Sequence, residues 1–392
     1  MINTDKQKIE EILTRGVNEV IDLKNLREKL LSGRQLRIKL GIDPTSPNIH
    51  LGRAVTLLKM KDFQDLGHQI VFIIGDFTGQ IGDTSDKESE RPMLTQEAVK
   101  SNMKSYLDQA GKILDLTKIE SYHNSEWLAK LGYAEIGEQA DQFSLADFIS
   151  RENIKKRLDA GTRVSLRELL YPLMQGYDSV EIKADVEIGG TDQRFNLLTG
   201  RTMQQHFSQK PQDVLMVNLI MGSDGRKMSS SWGNTINLSD SADDMYGKVM
   251  SVADDQIIPY FEHCTRVEMA EVKKYEELIK SGQNPRDLKM KLALAITEVY
   301  YSVEEAAKAE DRFKEIFQNR ATPTEIEEVK LADKALIEIL LETSLASSKT
   351  EVRRLIEQKG IKVDDEIVQD ENLIVKSGSV IQKGKRHFIK VV

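Results

Sequence analysis

Cysteine is nearly absent: Cys264 stands alone in 392 residues. One thiol cannot build an intrachain disulfide framework or a Cys-rich zinc site, so a packed core must hold the fold, as suits a reducing compartment. Long apolar runs are missing as well. No stretch approaches the roughly 20 residues of a membrane-spanning helix. The opening residues mix Lys6, Lys8, Glu10, Glu11 and Arg15 with Ile9, Ile12, Leu13, Val17 and Val20, an amphipathic helix pattern rather than a signal peptide. The expectation is a soluble, cytoplasmic chain. Positive charge is also in deficit. Lys and Arg number 55 against 63 Asp and Glu, a formal net charge of −8. That balance argues against an unspecific nucleic-acid coat but leaves room for a local basic patch.

What is present is enough apolar material, 40% of residues, for real cores, in a length that suits two or three domains. The first part alternates strand and helix. An apolar strand, Leu36 to Ile42, leads through Gly41-Ile42-Asp43-Pro44-Thr45 into a helix starting near His50 or Leu51. There Ala54, Val55, Leu58, Phe63 and Leu66 recur at helical spacing, with Gly67 as a C-cap. Ile70 to Ile74 then forms a continuous apolar run of the kind buried on both faces of a parallel sheet. The unit is βαβ, and the predicted fold class is α/β with a doubly wound, Rossmann-like parallel sheet. From Thr95, an N-cap for Gln96 to Leu114, the pattern is mostly helical to about Leu170, an insertion in the sheet; alternation from Val180 to Ile188 marks its return. Residues from about Asp240 to Glu325 read as helical, with Pro285 opening a helix after Asn284. Beyond Pro323 comes a small α+β pattern: a helix Lys349 to Gln358 closed near Gly360, then Ile361-Lys362-Val363, a turn at Asp364-Asp365, and strands through Ile381 and Phe388 to Val391. The expected domains are 1–239 with an insertion at about 94–170, 240–325, and 335–392.

Two distant segments are chemically aimed at one ligand. Pro47-Asn48-Ile49-His50-Leu51-Gly52-Arg53 places His50 at a helix N-terminus, where unpaired backbone N–H groups favour phosphate. Lys227-Met228-Ser229-Ser230-Ser231 follows Gly222, Asp224 and Gly225, the composition of a mobile flap carrying a cation. Both read as parts of one ATP site. A third group, Tyr171, Gln175 and Asp178, falls at i, i+4 and i+7, so the three share a helix face and can enter one pocket.

In this order the two segments resemble the HIGH and KMSKS signatures of class I aminoacyl-tRNA synthetases. Across essentially its whole length the chain resembles the bacterial-type tyrosyl-tRNA synthetases. The matches are Gly41 to Thr45, Phe77-Thr78-Gly79, Ile81-Gly82-Asp83, Tyr171-Pro172-Leu173-Met174-Gln175-Gly176-Tyr177-Asp178, and Gly189-Gly190-Thr191-Asp192-Gln193 with Phe195-Asn196. The resemblance implies a ligase that joins tyrosine to ATP as tyrosyl-adenylate, then passes the tyrosyl group to tRNA. It implies that Asp83, Tyr171 and Gln175 hold the α-ammonium, that Asp178 accepts from the phenol, and that Gln193 lies beside the carboxylate. Catalytic cations and positioning groups would be His50, Thr45, Lys227, Lys87 and Arg91. The nucleotide would contact Gly41, Asp43, His50, Gly52, Arg53, Gly190, Asp192, Lys227, Met228, Ser229 and Ser230. ATP would arrive with Mg²⁺, with no protein-bound metal or organic cofactor. The helical domain would face the anticodon. The C-terminal segment resembles a small RNA-binding domain named after a ribosomal small-subunit protein; Lys349, Arg353, Arg354, Lys383, Lys385 and Arg386 would track phosphates there. The family is dimeric through the insertion.

Three positions depart from the family pattern. Arg53 stands where the first signature usually has its second His, Ser230 where the second signature has its second Lys, and Lys39 where some relatives present a tyrosine to the substrate phenol. Arg53 is expected either to reach a phosphate or to point to solvent. Two other functions stay open on sequence: a synthetase-like paralogue that gives its adenylate to a non-tRNA acceptor, and a non-catalytic RNA-binding protein on the same fold.

Overall fold

The computed structural model describes residues 2–85, 93–318, 326–343, 345–364, 366–384 and 387–392. They fall into two compact units, residues 1–240 with 248–301, and residues 241–247 with 302–392. The first is built on a six-stranded sheet of β1 Val17–Ile21, β2 Arg37–Ile42, β3 Gln69–Ile74, β4 Ile119–His123, β5 Val186–Gly190 and β6 Asp213–Val217, in spatial order β1-β6-β5-β2-β3-β4. Every neighbouring pair is parallel except the β1–β6 edge. Ile70 through Ile74 are all buried, as the continuous apolar run requires.

Two stretches differ from the sequence reading. The N-terminal helix ends at Thr14 rather than running on through Val17 and Val20. Gly16, in the left-handed region at φ 65°, turns the chain into strand β1. The region expected to stay helical from Thr95 to Leu170 breaks after Met103 and again after Ala110, then returns to the sheet as β4. Ile119-Glu120-Ser121-Tyr122-His123 is short and lies at the edge, partly exposed, so it carries no long apolar run to announce it.

Strand order reverses at β2, which pairs with β3 on one side and β5 on the other. Ligands in such sheets bind beyond the carboxyl ends of the strands at that switch point. There β2 runs out into Asp43, β3 into Gly75 and β5 into Thr191. The helix Leu51–Asp65 packs Leu51, Ala54, Val55, Leu58 and Phe63 into the core. The helix Leu166–Glu181 starts at a capping box: the Ser165 hydroxyl accepts from the Arg167 backbone, and Glu168 Oε1 accepts from the Ser165 N–H at 3.0 Å. Arg157 clamps the same buried Glu168 with two hydrogen bonds, fixing where the helix begins. The helices Ile257–Cys264, Met269–Lys280 and Pro285–Tyr300 belong to this first unit, the last capped by Asn284 with Pro285 at its first turn.

The second unit holds the helix Val303–Gln318 and a small α+β domain. Helices Leu336–Glu342 and Lys349–Glu357 cover antiparallel strands Ile361–Val363, Val380–Lys383 and His387–Val391. Leu336, Ile339, Leu340, Val352, Ile361, Ile381 and Ile389 form its core. The expected turn begins at Asp364, which takes φ 53°.

Candidate active site

A cleft of about 240 Å³ opens at the switch point. It gathers every residue expected at the amino-acid and nucleotide ends except Lys87 and Arg91, which lie outside the described residues. The two signature segments touch there. The Gly52 N–H donates to Met228 Sδ at 3.3 Å, and the Ser46 and Ser230 hydroxyls are 3.3 Å apart. The approach is close at position 52, where a Cβ would stand 3.0 Å from His50 Nδ1 and 3.5 Å from Met228 Cβ, so a larger residue would push the His50 ring aside. His50 itself is the extended N-cap of the helix, tied through its backbone to Asn237. Lys227 Nζ sits 2.8 Å from Asp192 Oδ2 across the cleft. Its flap turns at Gly225, φ 76°, and is latched by Asn234, which accepts from the Ser229 N–H and donates to Asp224.

Arg53 does not point to solvent. It donates to the Asp43 carbonyl at 3.2 Å, the Tyr106 hydroxyl at 3.0 Å and Thr45 Oγ1 at 3.0 Å, while Tyr106 donates on to the Ser46 carbonyl. The planar fork of a guanidinium makes this three-point brace possible, and an imidazole could not. Asn102 and Gln109 hold the same turn at the carbonyls of Pro44 and Pro47.

The other end of the cleft is buried. Asp43 accepts from Tyr171 at 2.9 Å and from Thr78 at 2.7 Å. Only glycine fits at position 75, where a Cβ would fall 2.1 Å from Asp43 Oδ1. Burial raises the Asp43 carboxyl to about 6, against the opposing hydrogen bonds from Thr78 and Tyr171. Tyr171 is pushed well above its ordinary value by burial and the nearby carboxylates, so it stays protonated. With its proton given to Asp43, the Tyr171 oxygen can only accept. Asp83 accepts from Gln193 at 2.7 Å and from Ser85 at 2.5 Å. Asp178 accepts from Trp127 Nε1 at 2.7 Å and Asn124 Nδ2 at 3.3 Å, and burial raises it to about 7 despite Lys39 and those two donors. Beside it lies a buried ion pair, Lys39 Nζ to Glu187 Oε1 at 2.9 Å.

Tyr106, Asn124, Trp127 and Glu187 were not singled out by the sequence pattern, and Thr78 entered only within the Phe77-Thr78-Gly79 match, with no role of its own. Asn124 and Trp127 follow β4, the strand without an apolar signature. Glu187 carried a signal of its own, an acid inside the apolar run before Gly189-Gly190.

In the second unit Lys349, Arg353 and Arg354 are exposed on the helix Lys349–Glu357. Arg353 forms a two-bond pair with Glu371, at 2.8 and 2.9 Å, and Lys383 donates to the Leu345 carbonyl near Glu351. Lys385 and Arg386 lie outside the described residues. Among the described residues, no group of three His, Cys, Asp or Glu could hold a metal, and no helix is long and apolar enough to cross a membrane.

Residues 31–318 match the family of class I tRNA synthetases (W and Y), and residues 336–381 match the S4 domain. The chain therefore belongs to the class I tRNA synthetase family that handles tryptophan and tyrosine. Among its relatives are a tyrosine–tRNA ligase of Dehalococcoides mccartyi, 42% identical with both chains covered in full, and tyrosine–tRNA ligase 2 of Clostridium acetobutylicum, 44% identical with the same coverage. The tyrosine–tRNA ligase of Thermotoga maritima is 42% identical over 97% of this chain and 96% of its own. A truncated mitochondrial tyrosyl-tRNA synthetase from Aspergillus nidulans shares the fold at TM-score 0.66, with 21% identity over 80% of this chain and 95% of that one.

Proposed function

We propose that the chain is a tyrosine–tRNA ligase: it activates L-tyrosine with ATP to tyrosyl-adenylate and pyrophosphate, then transfers the tyrosyl group to the terminal adenosine of tRNA(Tyr). The observation that carries this reading is Asp178. It is a carboxylate in a dry pocket, both oxygens held by groups that only donate, with lone pairs left for one more donor. A substrate phenol supplies that donor and a phenyl ring does not. A site built for a hydroxyl rejects the analogue lacking it, and a tyrosyl-tRNA synthetase facing phenylalanine is the standing example.

The remaining residues take the roles that the family resemblance implies, which their shared place in the cleft supports. The Tyr171 oxygen, free only to accept, faces an ammonium together with Asp83 and the Gln175 amide oxygen. Gln193, hydrogen-bonded to Asp83, attends the reacting carboxylate. That carboxylate attacks the α-phosphorus, the bond to the bridging oxygen breaks, and pyrophosphate departs. No enzyme nucleophile is needed, so catalysis comes from alignment and from cations where negative charge grows. His50, Thr45 and Lys227 surround the phosphates, with Lys87 and Arg91 as further cations, and Arg53 holds Thr45 in place. Lys227 exchanges Asp192 for pyrophosphate as Asp192 turns to the ribose. Gly41, Gly52, Gly190, Met228, Ser229 and Ser230 shape the nucleotide end, and Mg²⁺ enters with ATP.

For tRNA, the helices of 240–325 face the anticodon, and 335–392 contact the acceptor's variable arm through Lys349, Arg353, Arg354, Lys383, Lys385 and Arg386. The chain works in the cytoplasm as a homodimer. Tyr133, Leu145, Leu158 and Leu166, all on the 94–170 insertion, are 96%, 64%, 45% and 77% exposed, apolar side chains that a second copy would cover. Tyrosine-dependent ATP–pyrophosphate exchange followed by transfer to bacterial tRNA(Tyr) tests the reading. Both should occur. No exchange sinks it, and exchange without transfer assigns a different acceptor.

A further inference from the structure

The Lys39–Glu187 pair lies under the amino-acid end of the cleft and has no part in the steps above. Its side chains are 0% and 2% exposed. They occupy in-register positions on neighbouring parallel strands, Lys39 on β2 opposite Glu187 on β5. An ammonium has three protons to donate. Those of Lys39 go to the Gln175 carbonyl at 2.8 Å, to Ser179 Oγ at 2.7 Å and to the Glu187 carboxylate. None is left for a ligand, so Lys39 does not replace the phenol contact of the tyrosine that some relatives carry. Glu187 is equally engaged, accepting from Gln175 Nε2 at 3.2 Å, Ser179 Oγ at 3.1 Å and Gln212 Nε2. Gln175 and Ser179 flank Asp178 on one helix turn. The pair therefore grips the turn that carries both Gln175 and Asp178, and it commits the Gln175 amide N–H so that its oxygen is left to accept.

We propose that the Lys39–Glu187 pair is a positioning device that fixes Asp178 and Gln175 against the phenol and ammonium of the amino acid, setting the choice of tyrosine over phenylalanine without touching either. The inference rests on the tyrosine reading. It also has an electrostatic signature. Facing Asp178 are Lys39 from β2, Glu187 from β5, and Tyr171, backed by Asp43, from its own helix; Asn124 and Trp127 after β4 are uncharged. Lys39→Met leaves Glu187 as an unbalanced negative neighbour, which holds Asp178 protonated to higher pH. Glu187→Gln leaves the ammonium unbalanced, which ionises Asp178 at lower pH.

Removing one member of a buried pair threatens the fold, whereas replacing both with neutral groups of similar volume is often tolerated. The decisive variant is thus the double Lys39→Met/Glu187→Gln, with Ser179→Ala removing one grip point and no charge. Pyrophosphate exchange with tyrosine and with phenylalanine is measured across pH, with thermal melting as the folding control. In the double variant KM for tyrosine should rise about tenfold with KM for ATP held within about twofold, and the tyrosine-to-phenylalanine ratio of kcat/KM should fall about tenfold. Ser179→Ala should move the same parameters less. In the single variants, the pH midpoint of the tyrosine KM should move up for Lys39→Met and down for Glu187→Gln. A folded double variant with the parent ratio, or with tyrosine and ATP affected alike, overturns the inference. A parent protein without tyrosine-dependent exchange overturns the tyrosine reading itself, and this inference with it.

Discussion

The two ends of one cleft are built by different physics. At the buried end Lys39, Glu187, Tyr171 and Asp178 are each under a tenth exposed and interlocked through strands and one helix. At the open end Lys227 is 28% exposed, Asp192 is 19% exposed, and the holding elements are loops latched by Arg53, Tyr106 and Asn234. Low dielectric makes the first end strong in recognition and intolerant of an unpaired group. Partial exposure lets the second exchange partners as phosphates arrive and leave. In the proposed reading, selection of the amino acid belongs to the buried end, and acceleration to the open one.

The largest expected effect breaks the open end alone. Lys227→Ala should lower kcat for pyrophosphate exchange by roughly 10²–10³-fold, the scale of losing one transition-state charge contact, with tyrosine KM nearly unchanged. A large rise in tyrosine KM would show that the two ends are not separable. Asp178→Ala should do the reverse, lowering kcat/KM for tyrosine by about a hundredfold while leaving phenylalanine almost untouched. Equal losses for both amino acids would move the phenol elsewhere.

Titration sharpens the same contrast. The Asp178 carboxyl titrates near 7 in the fold because burial disfavours its charge. If the carboxylate accepts the phenol proton, tyrosine KM should rise by up to about tenfold per pH unit below that value. A flat profile between pH 6 and 8 would contradict this. For stability the sign is opposite. The folded state holds this proton in a window where the unfolded chain, with an ordinary Asp near 3.9, has lost it, so this group's contribution falls as pH rises from about 4 through 7. Asp178→Asn should melt above the parent at pH 8, with the gap closing toward pH 4. The smallest effect is expected at Arg53. Arg53→Ala should raise ATP KM or lower kcat by about tenfold, in the range for one charged hydrogen-bonding brace; a variant as active as the parent removes Arg53 from the account.

Much of this cleft is legible in sequence because its chemistry sits on motif positions: the i, i+4, i+7 spacing of Tyr171, Gln175 and Asp178 places all three in the cleft. Lys39 is visible too, but only as a departure. Its partner Glu187 lies nearly 150 residues away, and strand pairing alone brings them together. Trp127 and Asn124 were hidden for a related reason, since they hang from an edge strand whose residues are only partly buried. Tyr106 sits in a five-residue helix where continuous periodicity promised a long one. Local pattern reports which face a residue takes, while long-range register decides what it meets.

The most direct measurement is a crystal structure of the chain with L-tyrosine bound. The phenol oxygen should lie within hydrogen-bonding distance of Asp178, with the ammonium among Tyr171, Gln175 and Asp83, and Lys39 still paired with Glu187. A phenol bound to Lys39, or a ring lodged at the Lys227 end, would contradict the assignment of the two ends.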